Sequence, residues 1–286
     1  MKQALLATIG FSFFYGLQIV LQKLFLKSAI QPLHLNFLTS LSSFIILTLY
    51  FWLFNKKVFV FKMDRKVSLW YFIAAMLWII AELLSIFGLK ISSSVNFSIL
   101  SRLTIIFTYL IAIIFFKEVY KTNKIIAVFL AFFGALAVVF NYKTNLKINY
   151  GDIFFILFAL GNSVSGLFRQ KITKHITSFQ LTYLMYLLAV IVLGFITIVF
   201  FPIKEIKIWN FIIFNSILSL AGFNLVNYAI AKGGASFFAV ASSILPFVTA
   251  IFSFLILGQL PLINQIVGGL LIIFSIFLFQ KKYANY

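Results

Sequence analysis

Ten long apolar runs, separated by short connectors that hold most of the charge, leave this chain few ways to fold. The runs cover residues 4–22, 33–54, 68–88, 94–116, 124–140, 153–170, 179–201, 209–230, 236–257 and 262–279. Each is near the roughly 20 residues that a helix needs to cross a bilayer. In hydrocarbon every backbone N–H and C=O must be satisfied internally, which runs of this length achieve as helices. The expected fold is therefore all-α and polytopic, with ten transmembrane helices and no soluble domain. Composition agrees: 10% of residues are charged and mean hydropathy is +1.12, whereas a soluble domain carries about 25% charged residues.

Ten spans divide into two sets of five. An odd number of crossings makes the second set enter the membrane inverted relative to the first. The expected organisation is two five-helix repeats, 1–141 and 142–286, in one integral membrane unit. Inverted repeats are a common architecture of secondary transporters, with the substrate path at the repeat interface.

A formal charge of +18 raises nucleic-acid binding as an alternative. The placement of the basic residues excludes it, because they sit between apolar runs. Roughly two-thirds of them fall in alternate connectors, including Lys56 to Lys66, Lys117 to Lys124, and Arg169 with Lys171 and Lys174. That alternation puts both termini in the cytoplasm by the positive-inside rule. The location implied is the cell membrane, crossed many times (the inner membrane in a Gram-negative cell). The first run is too long and too polar at Gln18 and Gln22 for a cleaved signal, and is expected to remain as a helix. There are no cysteines, so disulfides and thiolate metal sites are excluded.

An offset of 141 residues lays the fourth and fifth runs on the ninth and tenth. Ser101 then meets Ser242, Thr108 meets Thr249, and Asn123 meets Asn264. The first copy reads Ile113–Ile114–Phe115–Phe116–Lys117–Glu118, then Asn123, Ala127, Ala131 and Gly134. The second reads Ser242–Ser243–Ile244–Leu245–Pro246, then Leu255–Ile256–Leu257–Gly258–Gln259, with Gly268 and Gly269 following. These stretches resemble the drug/metabolite transporter superfamily in its EamA-like branch. The resemblance implies a fourth helix that ends on a Glu and a small-residue fifth helix. Glu118 fills that Glu position in the first copy, and Gln259 stands there in the second. The family's helix-four proline is matched by Pro246, with Ile105 in the first copy. It implies that Ser242, Pro246 and Glu118 mark a hinge or gate. The Pro246 kink is equally readable as static.

Buried polar residues supply the candidate substrate path. Glu82 and Arg102 lie in consecutive antiparallel runs at similar depth, and intramembrane charges usually face a bundle interior or wet cavity. They are expected to form an ion pair or to share one polar cavity. The pair could be structural, or Arg102 could contact substrate, or Glu82 could couple protons. Tyr15 and Gln18, with Ser12 and Gln22, keep one face of the first run. Asn162 and Ser163, with Gly166 and Gln170, keep one face of the sixth. Asn224, Asn227 and Tyr228 do so in the eighth. Singly such residues act as interhelical glue; together, and with Trp78, they are expected to line a path. The small residues of runs five and ten suit close packing as scaffold, or as a homodimer face.

No Walker-type loop is present, and His34 and His175 lie at a span boundary and in a connector. No metal, cofactor or catalytic constellation is expected, so the chain is not read as an enzyme. The reading that remains is a secondary transporter of a small organic metabolite, such as an amino acid. The alternatives are a flippase for lipid-linked intermediates and a non-transporting membrane partner.

Overall fold

The computed structural model describes residues 1–25, 31–54, 63–92, 97, 100–118, 122–139, 150–203, 209–257 and 263–280. Helix dominates, and no strand occurs among the described residues. In chain order the α-helices are α1 (Lys2–Phe25), α2 (Pro32–Phe54), α3 (Arg65–Ile91), α4 (Leu103–Ile114), α5 (Thr122–Val139) and α6 (Asp152–Ile172). There follow α7 (Ser178–Phe200), α8 (Trp209–Gly233), α9 (Ala235–Ala241), α10 (Leu245–Leu257) and α11 (Ile263–Gln280). Each expected run contains helix among the described residues. Six stretches are long and apolar enough by themselves to cross a membrane: Leu33–Phe54, Arg65–Ser85, Asp152–Ile172, Ser178–Phe200, Trp209–Gly233 and Ala235–Ile256. The protein is a multi-pass membrane protein.

Local sequence explains several boundaries. Thr177 and Gln180 form a capping box at the start of α7: the Gln180 N–H donates to Thr177 Oγ1 and the Thr177 N–H to Gln180 Oε1, satisfying two orphan donors. After α4, Lys117 takes a left-handed φ of 53° and the Glu118 N–H reaches back to the Ala112 carbonyl at 3.0 Å. That bond satisfies one of the helix's last carbonyls, and it fixes the direction in which Glu118 leaves the helix. Between α8 and α9 the chain turns on Gly234 at φ 84°, a conformation that glycine adopts without a Cβ clash.

Two runs are not single helices. The ninth breaks into α9, a 3₁₀ turn at Ser242–Ile244, and α10. Pro246 sits just past the turn, where its ring would disturb the Ser242 carbonyl. In the fourth run Phe97 and Leu100 are helical, residues 101–102 form a turn, and α4 begins at Leu103, so Arg102 lies at an interruption just before α4. The bonds there are of the tighter three-residue kind: Thr104 N–H to Ser101 O at 3.2 Å and Ile105 N–H to Arg102 O at 3.0 Å.

Packing is dominated by α3 on α6, α1 on α8, α5 on α11 and α2 on α7. At the α5–α11 contact, a Cβ on Gly268 would lie 2.6 Å from the Gly134 carbonyl oxygen and 2.8 Å from the Val138 nitrogen. Ala127, Ala131 and Ala135 are fully buried on the same face. The small residues of α5 and α11 thus pack closely against each other within the chain. Large apolar side chains such as Phe54, Phe115, Phe133 and Phe277 point outward, as lipid contact requires.

Candidate functional site

The site begins with two rings. Phe223 on α8 stacks on Trp78 of α3 at 4.7 Å, and Tyr186 of α7 closes edge-on against both. Tyr186 Oη lies 3.0 Å from Ser219 Oγ, so the wall is tied to α8 by a hydrogen bond as well as by packing. One turn along α3, the Glu82 carboxylate accepts a hydrogen bond from the Trp78 side chain. The Arg169 guanidinium of α6 sits 5.5 Å over the Phe223 ring, a cation–π contact.

Arg169 is held by a chain of side chains. Its Nη1 donates to Asn227 Oδ1 at 3.3 Å. The Asn227 amide donates to Thr182 Oγ1 at 2.9 Å. The Thr182 hydroxyl donates in turn to the Ser178 carbonyl at 2.8 Å. Asn224 lies 3.4 Å from the same hydroxyl. Arg169 is 5% exposed and Asn227 0%. Glu82 and Arg169 are within electrostatic reach of one another without forming an ion pair.

This corrects the sequence-based expectation in two respects. Glu82 and Arg102 make no ion pair. The carboxylate is turned to Trp78 and faces Arg169, while Arg102 lies at the start of α4 and donates to Ser101 Oγ at 3.3 Å. Arg169, expected as a connector charge, is instead a buried member of the cluster. It lies within the last turn of α6, on the face that α8 covers.

Tyr15 joins the two regions. It is stacked on Phe11 at 5.3 Å and lies in electrostatic reach of Glu82, Arg102 and Tyr186, yet it is 38% exposed. Gln18, one turn further, is 4% exposed, and its Oε1 has no partner among the described residues.

The remaining candidates divide. Asn224 belongs to the cluster through Thr182. Asn162 is half-buried on α6. Ser163 acts as glue, donating to Thr104 O at 3.1 Å and Ala159 O at 2.7 Å. Tyr228 lies away from the rings, with its hydroxyl 3.5 Å from Gln3 Oε1 and Lys232 over its face. Ser242 bonds Ala239 O inside its own turn, at 3.1 Å, beside Pro246. Gln22 lacks a described side chain, and Gln259 lies outside the described residues.

Glu118 is bridged across the molecule. Gln170 Nε2 donates to Glu118 Oε1 at 3.0 Å, and Gln170 Oε1 accepts from the Ala235 N–H at 2.6 Å. One side chain thus joins the end of α4 to the start of α9. A pocket of about 260 Å³ lies beside this bridge, lined by Glu118, Lys124, Gln170, Gly233, Gly234, Ser236, Phe237 and Phe279.

The sequence reading missed Arg169, Thr182, Tyr186 and Phe223. One signal was available. Only three of the 23 basic residues are arginine, namely Arg65, Arg102 and Arg169, and two of these are placed among polar groups inside the fold. Arginine is the residue of choice for planar, bidentate recognition.

Comparison with known proteins places the chain in a family. The EamA-like transporter family profile matches residues 2–140 and again residues 149–280. An uncharacterized transporter of Bacillus subtilis (strain 168), YyaM, is 26% identical over 202 residues, covering 66% of this chain. The aligned part spans 65% of that relative's length. A crystal structure covering 98% of this chain and 97% of its own superposes with a TM-score of 0.82 at 12% identity, which shows a shared fold. With the family profile covering both halves, the chain belongs to the EamA-like transporter family.

Proposed function

We propose that this protein is a secondary transporter. It moves a small organic metabolite, such as an amino acid or related solute, by alternating access between two inverted five-helix repeats, residues 1–141 and 142–286. In this reading there are ten spans and both termini are cytoplasmic. The observation that carries it is the buried cluster of Glu82, Trp78, Arg169 and Asn227, contributed by helices from both halves of a chain that matches the transporter family twice. Unpaired charges inside a membrane protein are expensive, and they mark substrate or ion pathways.

Two structural regularities support the repeat. If run one corresponds to run six, two to seven and three to eight, the α3–α6 contact exchanges with the α1–α8 contact. The α1–α10 contact likewise exchanges with α4–α6. All four are extensive. The tight turns at Ser101–Arg102 and at Ser242–Ile244 fall at matched positions of the two halves. Discontinuous helices in corresponding positions are where transporters of this architecture build their sites.

The test is counterflow in proteoliposomes loaded with pooled amino acids, nucleosides and small organic anions, with and without a pH gradient. Uptake of one solute class, diminished in Arg102→Met, is expected. No movement of any pool by folded wild-type protein overturns the transport reading.

A further inference from the structure

Five acidic residues face 23 basic ones in this chain, so most of its cations must find counter-anions outside it. One group of them is built into the fold. α3 and α6 run antiparallel along each other. Trp70 meets Lys171, the Ala74 carbonyl accepts from Ser165 Oγ at 2.8 Å, and Gly88 lies against the Phe155 ring. The start of α3 and the end of α6 therefore reach the same membrane surface. The apolar spans Arg65–Ser85 and Asp152–Ile172 both end there.

At that surface the half-buried Trp70 ring gathers three side chains. Lys66 Nζ lies 5.4 Å from its centroid, Lys171 Nζ 5.2 Å, and the exposed His175 ring 6.2 Å. Lys171 also sits 4.3 Å over Phe116. Neither lysine makes an ion pair among the described residues. The Asp64 carboxylate, two residues before Lys66, is exposed and pairs with neither. A ring face orients a cation without neutralising it. Two ammonium groups are thus held at a span end with their charge uncompensated. Beyond Lys66 the same side of α3 continues at a spacing of three with Leu69 and Phe72, both exposed. A cation at the interface above an apolar stripe matches a lipid, with the headgroup against the charge and a chain along the stripe. Tryptophan is itself an interfacial residue.

We propose that Lys66 and Lys171, set in place by Trp70, bind the phosphate of a phospholipid of net negative charge, with an acyl chain along Leu69 and Phe72. A zwitterionic phospholipid brings its own ammonium group and gains less from the same two cations. In the orientation proposed above this surface is cytoplasmic, where the leaflet is anionic and basic clusters recognise lipid headgroups. The binding itself depends on neither that orientation nor transport. The phosphate bridges α3 and α6, which carry Trp78, Glu82 and Arg169, so a bound lipid also clamps these two helices together.

The experiment titrates purified full-length protein in a non-ionic detergent and counts bound lipid by native mass spectrometry. The probes are dioleoylphosphatidylglycerol and dioleoylphosphatidylcholine, which share their chains and differ in net charge. Wild type is expected to bind the glycerol lipid roughly ten-fold more tightly. Lys66→Gln combined with Lys171→Gln is expected to remove that preference while changing affinity for the choline lipid by less than about two-fold. Lys2→Gln combined with Lys232→Gln removes the same charge away from Trp70, and the preference is expected to persist. Should the Lys66 and Lys171 double variant fail to elute as folded protein, Lys66→Gln alone, at an exposed position, is expected to lower the preference about three-fold. The glycerol lipid is also expected to raise the Tm of wild type, and not that of the Lys66 and Lys171 variants. Equal loss of preference in both double variants means diffuse attraction and overturns the site. Displacement of the glycerol lipid by equimolar inorganic phosphate assigns the cations to a soluble phosphate compound and overturns the lipid reading. No preference in folded wild type overturns it outright. Counterflow is read separately, so lipid binding without passage removes only the transport reading, and passage without lipid preference removes only the lipid site.

Discussion

Arg102 and Arg169 both place a guanidinium inside a membrane fold, and both leave a buried Nε without a partner among the described residues. Their settings differ. Arg102 lies amid a long apolar run, yet the fold puts it in a turn that interrupts the helix just before α4, half-buried and bonded only to the neighbouring Ser101 hydroxyl. Arg169 lies one turn from a helix end, followed by Lys171 and Lys174, yet it is nearly enclosed and held by Asn227 and Phe223. Depth in an apolar run is therefore a poor guide to how a charge is housed. What decides is which helix packs over that face. Lys171, two residues later, faces the Trp70 and Phe116 rings at 5.2 and 4.3 Å instead.

The largest expected effect separates the two arginines in transport. Arg169→Met should lower uptake of the accepted solute by about 100-fold, since it removes the buried cation of the cluster, and a charge-assisted bond is worth about 1.5–3 kcal/mol. Arg102→Met should lower it by about ten-fold, because a single loosely held cation is lost. Initial rates in proteoliposomes, normalised to folded protein, give the comparison. Equal losses would remove the distinction drawn here. Arg169→Met should also lower stability by about 1–3 kcal/mol, by leaving Asn227 Oδ1 unbonded, which reads out as a lower Tm.

A second effect asks whether the support matters. Asn227→Leu should lower uptake by about ten-fold through misplacement of the Arg169 fork. In a double-mutant cycle with Arg169→Met the two losses should fall short of adding, because one acts through the other. The matching cycle of Arg102→Met with Asn227→Leu should be additive within about 0.5 kcal/mol. Coupling of Asn227 to Arg102 as strong as to Arg169 would merge the two sites into one.

The difference between the arginines also marks where the sequence was readable. The runs, the helical class and the family resemblance followed from hydropathy, span length and the matched stretches around Ser101 and Ser242. Those signals are local and need no knowledge of which helices touch. Glu82 was picked out because a carboxylate within an apolar run is costly anywhere. Arg169 escaped because its burial is made by α8, whose register against α6 no local pattern states. The Glu82–Arg102 pair failed for the same reason. Similar depth on consecutive helices gave no rotation angle, and Trp78, four residues earlier on the same helix, was the nearer partner. Tyr228 was grouped with Asn224 by spacing, but a helix face is wide enough for one residue to meet Thr182 and another Gln3.

A third effect uses the cysteine-free sequence. A single cysteine at position 102 should react with a membrane-impermeant thiol reagent roughly ten-fold faster than one at position 169, because a buried thiol is shielded from attack. A saturating solute should slow both if each lines the path. Faster labelling at 169 would mean that the packing of α8 over α6 opens in the membrane, and the enclosure assigned to Arg169 would be lost.

The smallest effect tests the turn that carries Arg102 against its counterpart. Ser101→Ala removes one long hydrogen bond to the guanidinium, at 3.3 Å, and should lower uptake by about two- to five-fold, in line with a net bond of about 0.5–1 kcal/mol. The backbone bonds at Thr104 and Ile105 remain, so the turn itself should survive. Ser242 occupies the matched position, but its hydroxyl bonds only the Ala239 carbonyl of its own helix, and Pro246 independently disrupts the ladder there. Ser242→Ala should therefore leave uptake unchanged within about a factor of two, the scale of a surface substitution within about 0.5 kcal/mol. If Ser242→Ala lowers uptake as much as Ser101→Ala does, the two hydroxyls serve the helix breaks alike, and Arg102 owes its position to the turn and not to its serine.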